Sequence, residues 1–289
     1  PKSLKHAGKD RALVIDSALE ALISIDMVTG NRKIISTAGS ESTQAIGYGP
    51  SIHDPIGIEV NPSYTKAWVS LRGNPDLLEI HLDTGNRSLL ESTPDDNAAN
   101  FKLPNGISYD TENHRLLVSD IYLDRVQAIK LENQTTSIAG RKHLTNNRSI
   151  MLSKPLDTVI DAQNKHIYAI DSVLKAVIAW DAQSNSKVLS SSLVGSGLSL
   201  LKPVAIDLNT ADNVAYVADE KLNSIVSVNL LNGDRVVLSN QAVGSGPTFK
   251  NLSSISFDPE NRSLLVSDTQ EKAIFSIDIN NGNRKIISK

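Results

Sequence analysis

The sequence contains no cysteine, and this absence excludes several kinds of chemistry. Without thiols the chain forms no disulfide, offers no thiol nucleophile and builds no cysteine-ligated metal site. Aromatic residues are also scarce, at 4%, so a core must be filled mainly by Ile, Leu, Val and Ala. A cytosolic protein and an exported bacterial protein both fit this composition. We expect the second, with a periplasmic or secreted location.

Long apolar runs and an excess of positive charge are missing as well. No segment approaches the roughly 20 apolar residues of a membrane-spanning helix, so we expect no membrane span. The net charge of −3 gives no electrostatic reason to expect a nucleic acid partner. The six histidines form no His-x-His or His-x-x-x-His pair, which excludes a local zinc-type spacing.

A repeated segment of about 50 residues runs through the whole chain. It is clearest when four stretches are aligned without gaps: PNGISYDTENHRLLVSD (104–120), PLDTVIDAQNKHIYAID (155–171), PVAIDLNTADNVAYVAD (203–219) and LSSISFDPENRSLLVSD (252–268). Residues 55–71 match too, and residues 1–16 match after deletion of one loop residue. The repeats therefore start near residues 1, 55, 104, 155, 203 and 252.

Each repeat contains four short stretches in which apolar and polar residues alternate, a pattern typical of β-strands. Four-stranded units of this length are typical of β-propellers, where radial closure removes long exposed edges. We therefore predict an all-β fold: one six-bladed β-propeller domain over 1–289, with four antiparallel strands per blade. No strand is left over to cross between the first and last repeats, so we expect these two blades to close the ring by packing.

Two features recur at fixed repeat positions. An Asp ends the second strand of five repeats, at Asp16, Asp120, Asp171, Asp219 and Asp268. A Gly-x-Arg hairpin precedes the fourth strand of four repeats, with its arginines at Arg32, Arg87, Arg235 and Arg284. One residue per blade at one position indicates a structural role, so we expect the Asp residues in turns or inter-blade hydrogen bonds. We expect the arginines to be solvated or paired with a neighbouring blade. Repeats three and four lack the Gly, and we expect their hairpins to turn differently.

The repeat resembles the YWTD (low-density-lipoprotein-receptor class B) propeller repeat, and it is also similar to NHL and gluconolactonase-type propellers. The resemblance is strongest in ALVIDSALEALISIDMVTGNRKIIS (12–36) and LLVSDTQEKAIFSIDINNGNRKIIS (264–288). It covers all six repeats. It implies the fold rather than one activity, because such propellers host ligand binding, protein docking and hydrolysis.

A gluconolactonase or paraoxonase relationship would imply a divalent metal at the channel mouth, held by Glu, Asn and Asp side chains near the starts of the first strands. Only Asn105, in Pro104-Asn105-Gly106, matches that pattern, and Asp157 is one position out of register. Ile56, Leu156 and Val204 occupy places where ligands would be needed. We therefore expect a non-catalytic protein without a cofactor. The alternative is a lactonase-like hydrolase that binds Ca²⁺ or another divalent cation at a degenerate site around Asn105 and Asp157.

Binding residues are expected where the repeat becomes irregular, in the long connections of repeats one to three and in the connection before repeat four. The predicted site on the inter-blade loop face comprises Tyr48, His53, Arg72, Asp76, Asn105, Tyr122, Arg125, Arg141 and His143, with Asp95 and Asp96 as further candidates. The predicted partner is a protein, a peptide or a glycan. We expect the chain to be a monomer.

Overall fold

A computed structural model describes residues 2–8, 10–39, 44–95, 98–139, 152–181 and 185–289. In these ranges the chain forms six sheets, each with four antiparallel strands, arranged as the six blades of a β-propeller, which confirms the predicted fold class. No helix in the same ranges is long and apolar enough to cross a membrane.

Blades one to three contain the first thirteen strands. In blade one these are β1 (Ser3–His6), β2 (Arg11–Asp16), β3 (Ala21–Asp26) and β4 (Arg32–Thr37). In blade two they are β5 (Pro55–Val60), β6 (Lys66–Leu71), β7 (Leu77–His81) and β8 (Arg87–Leu90). Blade three has a short extra strand at its outer edge, β9 (Thr93–Pro94), which pairs parallel to β13. Its other strands are β10 (Pro104–Asp110), β11 (Arg115–Asp120), β12 (Arg125–Lys130) and β13 (Thr135–Ile138).

Blades four to six repeat the same order. In blade four the strands are β14 (Pro155–Asp161), β15 (His166–Asp171), β16 (Ala176–Trp180) and β17 (Ser186–Ser190). In blade five they are β18 (Pro203–Asn209), β19 (Val214–Asp219), β20 (Ser224–Asn229) and β21 (Arg235–Ser239). In blade six they are β22 (Leu252–Asp258), β23 (Ser263–Asp268), β24 (Ala273–Asp278) and β25 (Arg284–Ser288).

The first strands of the blades contact one another around a central channel, and the fourth strands form the outer rim. The core consists of six hydrophobic clusters, each between two adjacent blades. Five first strands begin at the predicted repeat starts, residues 55, 104, 155, 203 and 252. We call the face on which the first strands begin the loop face.

Ring closure between blades six and one uses no shared sheet, because β1–β4 and β22–β25 form separate four-stranded sheets. Side chains join the two blades instead. The Ser254 and Ser256 hydroxyl groups accept hydrogen bonds from the backbone amides of Leu4 and His6, at 3.3 and 3.0 Å. This confirms the predicted closure by packing.

The Asp at the end of the second strand has the predicted structural role. Asp219 is fully buried and accepts hydrogen bonds from the Leu222 amide in the following turn and from the Leu201 and Lys202 amides in the connection that leads into its blade. The carboxylates of the matching residues in blades three, four and six accept the same two sets of bonds: Asp120, Asp171 and Asp268. These carboxylates therefore anchor blades three to six to the segments that precede them.

Of the predictions about the hairpins, the one for blade three needs correction, and the one for blade four falls on residues 182–184, outside the described ranges. Gln134 in blade three adopts φ +57° and donates to the Lys130 carbonyl, as Gly85 donates to His81 in blade two. The blade-three hairpin therefore turns in the same way without a Gly, because Gln134 itself adopts the left-handed conformation. The arginines Arg87, Arg235 and Arg284 follow the second of the two expected alternatives. They are 6%, 4% and 6% exposed, and each donates a hydrogen bond to a serine of the neighbouring blade: Ser36, Ser190 and Ser239. Each guanidinium binds carbonyl groups of the connection before its own blade, so burial costs it no hydrogen bond.

Candidate functional site

A cup opens on the loop face at the mouth of the central channel. Its volume is about 370 Å³, and residues from all six blades line it. Its apolar lining includes Ile56, Leu156 and Val204, the residues that occupy the expected ligand positions of a metal site. Each of these residues is the second residue of a first strand. The lining of the cup is therefore partly apolar.

Besides Lys5, which also lines the cavity on the opposite face, four cationic side chains line this cup: Lys2, Arg72, Lys154 and Lys202. The acidic residues in its lining are Asp157 and Glu220. Two of the four cations have acidic partners, since Arg72 lies 3.0 Å from Asp54 and Lys202 lies 2.6 Å from Glu220. Lys2 and Lys154 form no ion pair with any residue that the structure describes. The mouth of the channel is therefore basic, although the chain as a whole carries a net charge of −3.

The two candidate metal ligands, Asn105 and Asp157, both take part in bonds between neighbouring blades. The Asn105 side-chain amide donates to the Leu156 carbonyl, and the Asp157 carboxylate accepts from the Ile206 amide at 3.0 Å. Asp157 also accepts from the Thr158 amide at 2.9 Å. In the described ranges no three His, Asp or Glu side chains are grouped as metal ligands. The geometry thus gives both residues a structural function.

The same kind of bond continues around the channel. The Ser70 hydroxyl donates to the Asn105 carbonyl at 2.5 Å, and the Asp207 carboxylate accepts from the Phe257 amide at 2.8 Å. Together with Asn105, Asp157 and the serine bonds of blade six, these contacts connect the inner strands of successive blades. At five of the six junctions a side chain of one blade thus binds the backbone of the next. In the channel between blades one and two the contact is the ion pair of Lys5 with Glu59.

A cluster of charges lies below the cup, at the narrow part of the channel. The Lys5 ammonium lies 3.1 Å from a Glu59 oxygen and 3.9 Å from an Asp207 oxygen. Lys5 lines both the cup and the cavity on the opposite face, so this cluster separates the two. Burial alone would lower the pKa of Lys5, but the charges of Asp207 and Glu59 raise it above its usual range. Lys5 therefore stays protonated and balances the carboxylates around it.

Burial in the channel wall also changes the acidity of two carboxyl groups. It raises the pKa of Asp157 to about 7, although hydrogen bonds from Ile206 and Thr158 oppose the shift. Burial likewise raises the pKa of Glu59, against the opposing charge of Lys5. The channel is thus a place where ionising a carboxyl group is costly.

The other predicted site residues are not brought together at the cup. Arg72 and Asn105 line it, whereas Tyr48 is 85% exposed at the outer rim, where its amide donates to the Asn86 side chain. His53 is exposed, and its Nδ1 lies 2.6 Å from Glu20 Oε1.

Asp76, Tyr122 and Arg125 lie near turns that follow second strands, away from the cup lining. Burial raises the pKa of Asp76, and the charge of Glu91 adds to this shift. Asp95 accepts a hydrogen bond from the Ala98 amide. Arg141, His143 and Asp96 lie outside the described residues.

Sequence reasoning missed the lysines of the cup and the channel. Lys154 and Lys202 each stand directly before the proline that opens a repeat, and this Lys-Pro pair was the available signal. Lys2 and Lys5 lie in the repeat that matches the others least well, so their position next to the channel became apparent only from the ring of first strands.

The sequence matches no protein-family model and no curated protein sequence. Its fold, however, is similar to solved structures. A nidogen/laminin complex contains a chain that aligns with a TM-score of 0.73 and 13% identity, covering 96% of this chain and 93% of the other. A structural genomics protein of unknown function from Bacteroides thetaiotaomicron aligns at 0.68 and 13% identity, covering 94% and 67%. An auxiliary nutrient binding protein from the same organism aligns at 0.67 and 12% identity, covering 96% and 66%. At these identities the similarity shows the six-bladed propeller fold alone.

Proposed function

We propose that this propeller is a non-catalytic binding protein whose loop-face cup receives an acidic group of a protein or peptide partner. The observation that carries the proposal is that four cations besides Lys5, namely Lys2, Arg72, Lys154 and Lys202, line a partly apolar cup of about 370 Å³. A carboxylate that enters the cup would meet Lys2 and Lys154, which are unpaired within the described part of the chain. Complementary charge of this kind gives specificity and a fast association rate.

The comparisons support a binding role in general terms. One similar structure is of a complex between nidogen and laminin, and another is named a nutrient binding protein. The bonds that Asn105 and Asp157 make to neighbouring blades support the same view, because they give both residues a role that needs no metal. A position outside the cytoplasm, as expected from the sequence, belongs to this proposal.

Binding of a hexaglutamate peptide, measured by calorimetry at low and at physiological salt, tests the proposal. We expect saturable binding that weakens as salt is added, and no binding of hexaglutamine. The double variant Lys154→Glu/Lys202→Glu should bind at least tenfold more weakly, because it replaces two attractive charges by two repulsive ones. Lys187→Glu is the matched control, since Lys187 is exposed on the outer strand β17.

Two outcomes would contradict this function. Equal affinity of the double variant and the Lys187→Glu control would remove the cup from the interaction. Calcium-dependent lactone hydrolysis that is lost in Asn105→Ala would instead support the lactonase-like alternative. A thermal shift measured with and without calcium complements this second test.

A further inference from the structure

A second cavity opens on the face opposite the loop face. Its volume is about 440 Å³, within the range of small-molecule sites. Two successive positions of the six first strands form most of its lining. The position nearer the middle of the channel holds Lys5, Glu59, Ser108, Val159, Asp207 and Ser256. The next position, nearer the opening, holds His6, Val60, Tyr109, Ile160, Leu208 and Phe257. The cavity therefore has a polar floor and a mostly apolar wall.

The wall of this opposite-face cavity is rich in aromatic side chains. Aromatic residues make up only 4% of the chain, yet three of them line the cavity: Tyr64, Tyr109 and Phe257. Neighbouring rings hold two of these in place, since Tyr109 stacks on Trp68 at 5.4 Å between centroids and Phe257 lies 5.8 Å from Tyr216. No aromatic side chain is found among the described residues that line the cup. Aromatic rings attract cations as well as apolar groups, so the two cavities suit different ligands.

The floor carries more negative than positive charge. Lys5 Nζ lies 3.1 Å from Glu59 Oε2 and 3.9 Å from Asp207 Oδ2, so one ammonium faces two carboxylates. The longer distance is beyond hydrogen-bond length. Asp207 instead accepts hydrogen bonds from the Leu208 and Phe257 amides, both at 2.8 Å. Because these backbone amides carry no net charge, one negative charge of the floor stays uncompensated.

His6 does not offset this excess of negative charge. It is the other side chain of the lining that titrates near neutral pH. Its Nε2 lies 3.5 Å from Asp258 Oδ1, and both residues are buried. A proton on His6 would therefore balance Asp258 and not the carboxylates of the floor. The opposite-face cavity is thus acidic, whereas the cup on the loop face is basic.

Ser108 adds a hydrogen-bonding group that the fold does not use. The residue is 2% exposed, and its Oγ has no hydrogen-bond partner among the described residues. Most buried polar groups in folded proteins are paired, so an unpaired hydroxyl in the lining of a cavity indicates a place for a ligand. Blade three follows blade two around the ring, which places Ser108 beside Glu59 in the floor.

We propose that the opposite-face cavity binds an organic cation that has a primary ammonium group on an aromatic or aliphatic body. An ammonium group has three N–H donors, and the floor offers acceptors on Glu59, Asp207 and Ser108. The body of the ligand packs against Tyr109 and Phe257 in the wall. A metal ion fits less well, because the wall is apolar and no three acidic or histidine side chains of the described ranges form a ligand group.

Binding of 2-phenylethylamine, measured by calorimetry and by NMR of the protein, tests this proposal. The amine is protonated at neutral pH, and we expect saturable binding with shifts of the Ser108 and Phe257 amides. The neutral analogue 2-phenylethanol should bind at least tenfold more weakly, and the anion phenylacetate should not bind. Saturating hexaglutamate should not displace the amine, because the cup and this cavity lie on opposite faces.

Two variants and a control locate the bound amine. Asp207→Asn keeps the shape of the side chain and removes one negative charge, so it should weaken binding at least tenfold. Ser108→Ala removes an acceptor that has no partner in the protein, and it should weaken binding severalfold without affecting the fold. Glu112→Gln is the matched control, because Glu112 is exposed beside Thr111 at the cavity and the charge change is the same. Its affinity for the amine should be unchanged.

Three results would overturn the proposal: no saturable binding at millimolar amine, equal affinity for 2-phenylethanol, or unchanged affinity in Ser108→Ala. Circular dichroism checks that each variant is folded. If Asp207→Asn does not fold because a bond between blades is lost, Ser108→Ala and the neutral analogue still decide the question. Hexaglutamate binding and its loss in the Lys154→Glu/Lys202→Glu variant concern only the cup. The two proposals can therefore fail independently.

Discussion

At the outer rim, Arg87, Arg235 and Arg284 occupy one position in three blades, and each binds backbone carbonyl groups of one linker. In the central channel, Lys5 and Glu59 each lie at a position where the other blades carry different residues. The rim charges recur because these three junctions use the same bonds. The channel charges do not recur, because a single central space is shared by all blades and each contributes something different to it.

This difference shows where specificity resides in a repeat protein. A side chain that is repeated around the ring forms equivalent contacts in each blade and offers no unique site. A side chain that occurs once, such as Lys5 in the channel, gives that space a distinct chemistry.

The largest expected effect on stability comes from the buried arginines of the outer rim. Arg235→Ala removes a buried guanidinium and leaves several buried carbonyl groups without donors, so we expect the free energy of unfolding to fall by about 4 kcal/mol. Arg32→Ala removes one bond, to Ser288, at an exposed position and should cost about 0.5 kcal/mol. Urea unfolding of the two variants measures the difference. Similar losses of unfolding free energy in both variants would show that the hydrogen bonds between Arg235 and its linker contribute little to stability.

A smaller loss of stability is expected from substitution of Gly195, in the linker between blades four and five. Gly195→Ala places a Cβ 2.0 Å from the Gly233 carbonyl oxygen at φ +75°, whereas Gly73→Ala at φ +76° meets no atom within 4 Å. The left-handed conformation costs both variants about 1 kcal/mol. The clash should add about 2 kcal/mol to Gly195→Ala only. Thermal unfolding separates the two contributions, and equal melting temperatures would contradict the close contact.

The sequence predicted the fold well because the propeller is built from local patterns. Alternating strands, turn residues and a repeated spacing placed the starts of five blades at Pro55, Pro104, Pro155, Pro203 and Leu252, where the strands begin. The role of the repeated Asp could also be predicted, since a residue at one position of most blades has one structural explanation.

The burial of Arg235 could not be predicted from its hairpin, because its partners lie 37 to 45 positions away in the chain. A weaker signal was present. The Gly-x-Gly linkers stand before blades two, five and six, and these blades carry Gly-x-Arg, while blades three and four have neither. The basic cup was missed for a similar reason: the nearness of Lys2, Lys154 and Lys202 depends on closure of the ring.

The most local prediction concerns the titration of single side chains. It compares a carboxyl group in the channel with one at the rim. Burial raises the pKa of Asp157 to about 7 from an ordinary 3.8. In contrast, hydrogen bonds from the Thr29 backbone and side chain lower the pKa of Asp26 in an exposed rim hairpin. Carboxyl ¹³C NMR should therefore show Asp157 titrating near pH 7, with its signal assigned from Asp157→Asn, and Asp26 titrating below 3.8. Because the folded state holds the Asp157 proton more tightly, the stability that this group contributes is complete below about pH 4 and is lost as the pH rises through 7. A midpoint near 4 for Asp157 would mean that water solvates the channel wall as freely as it solvates the rim.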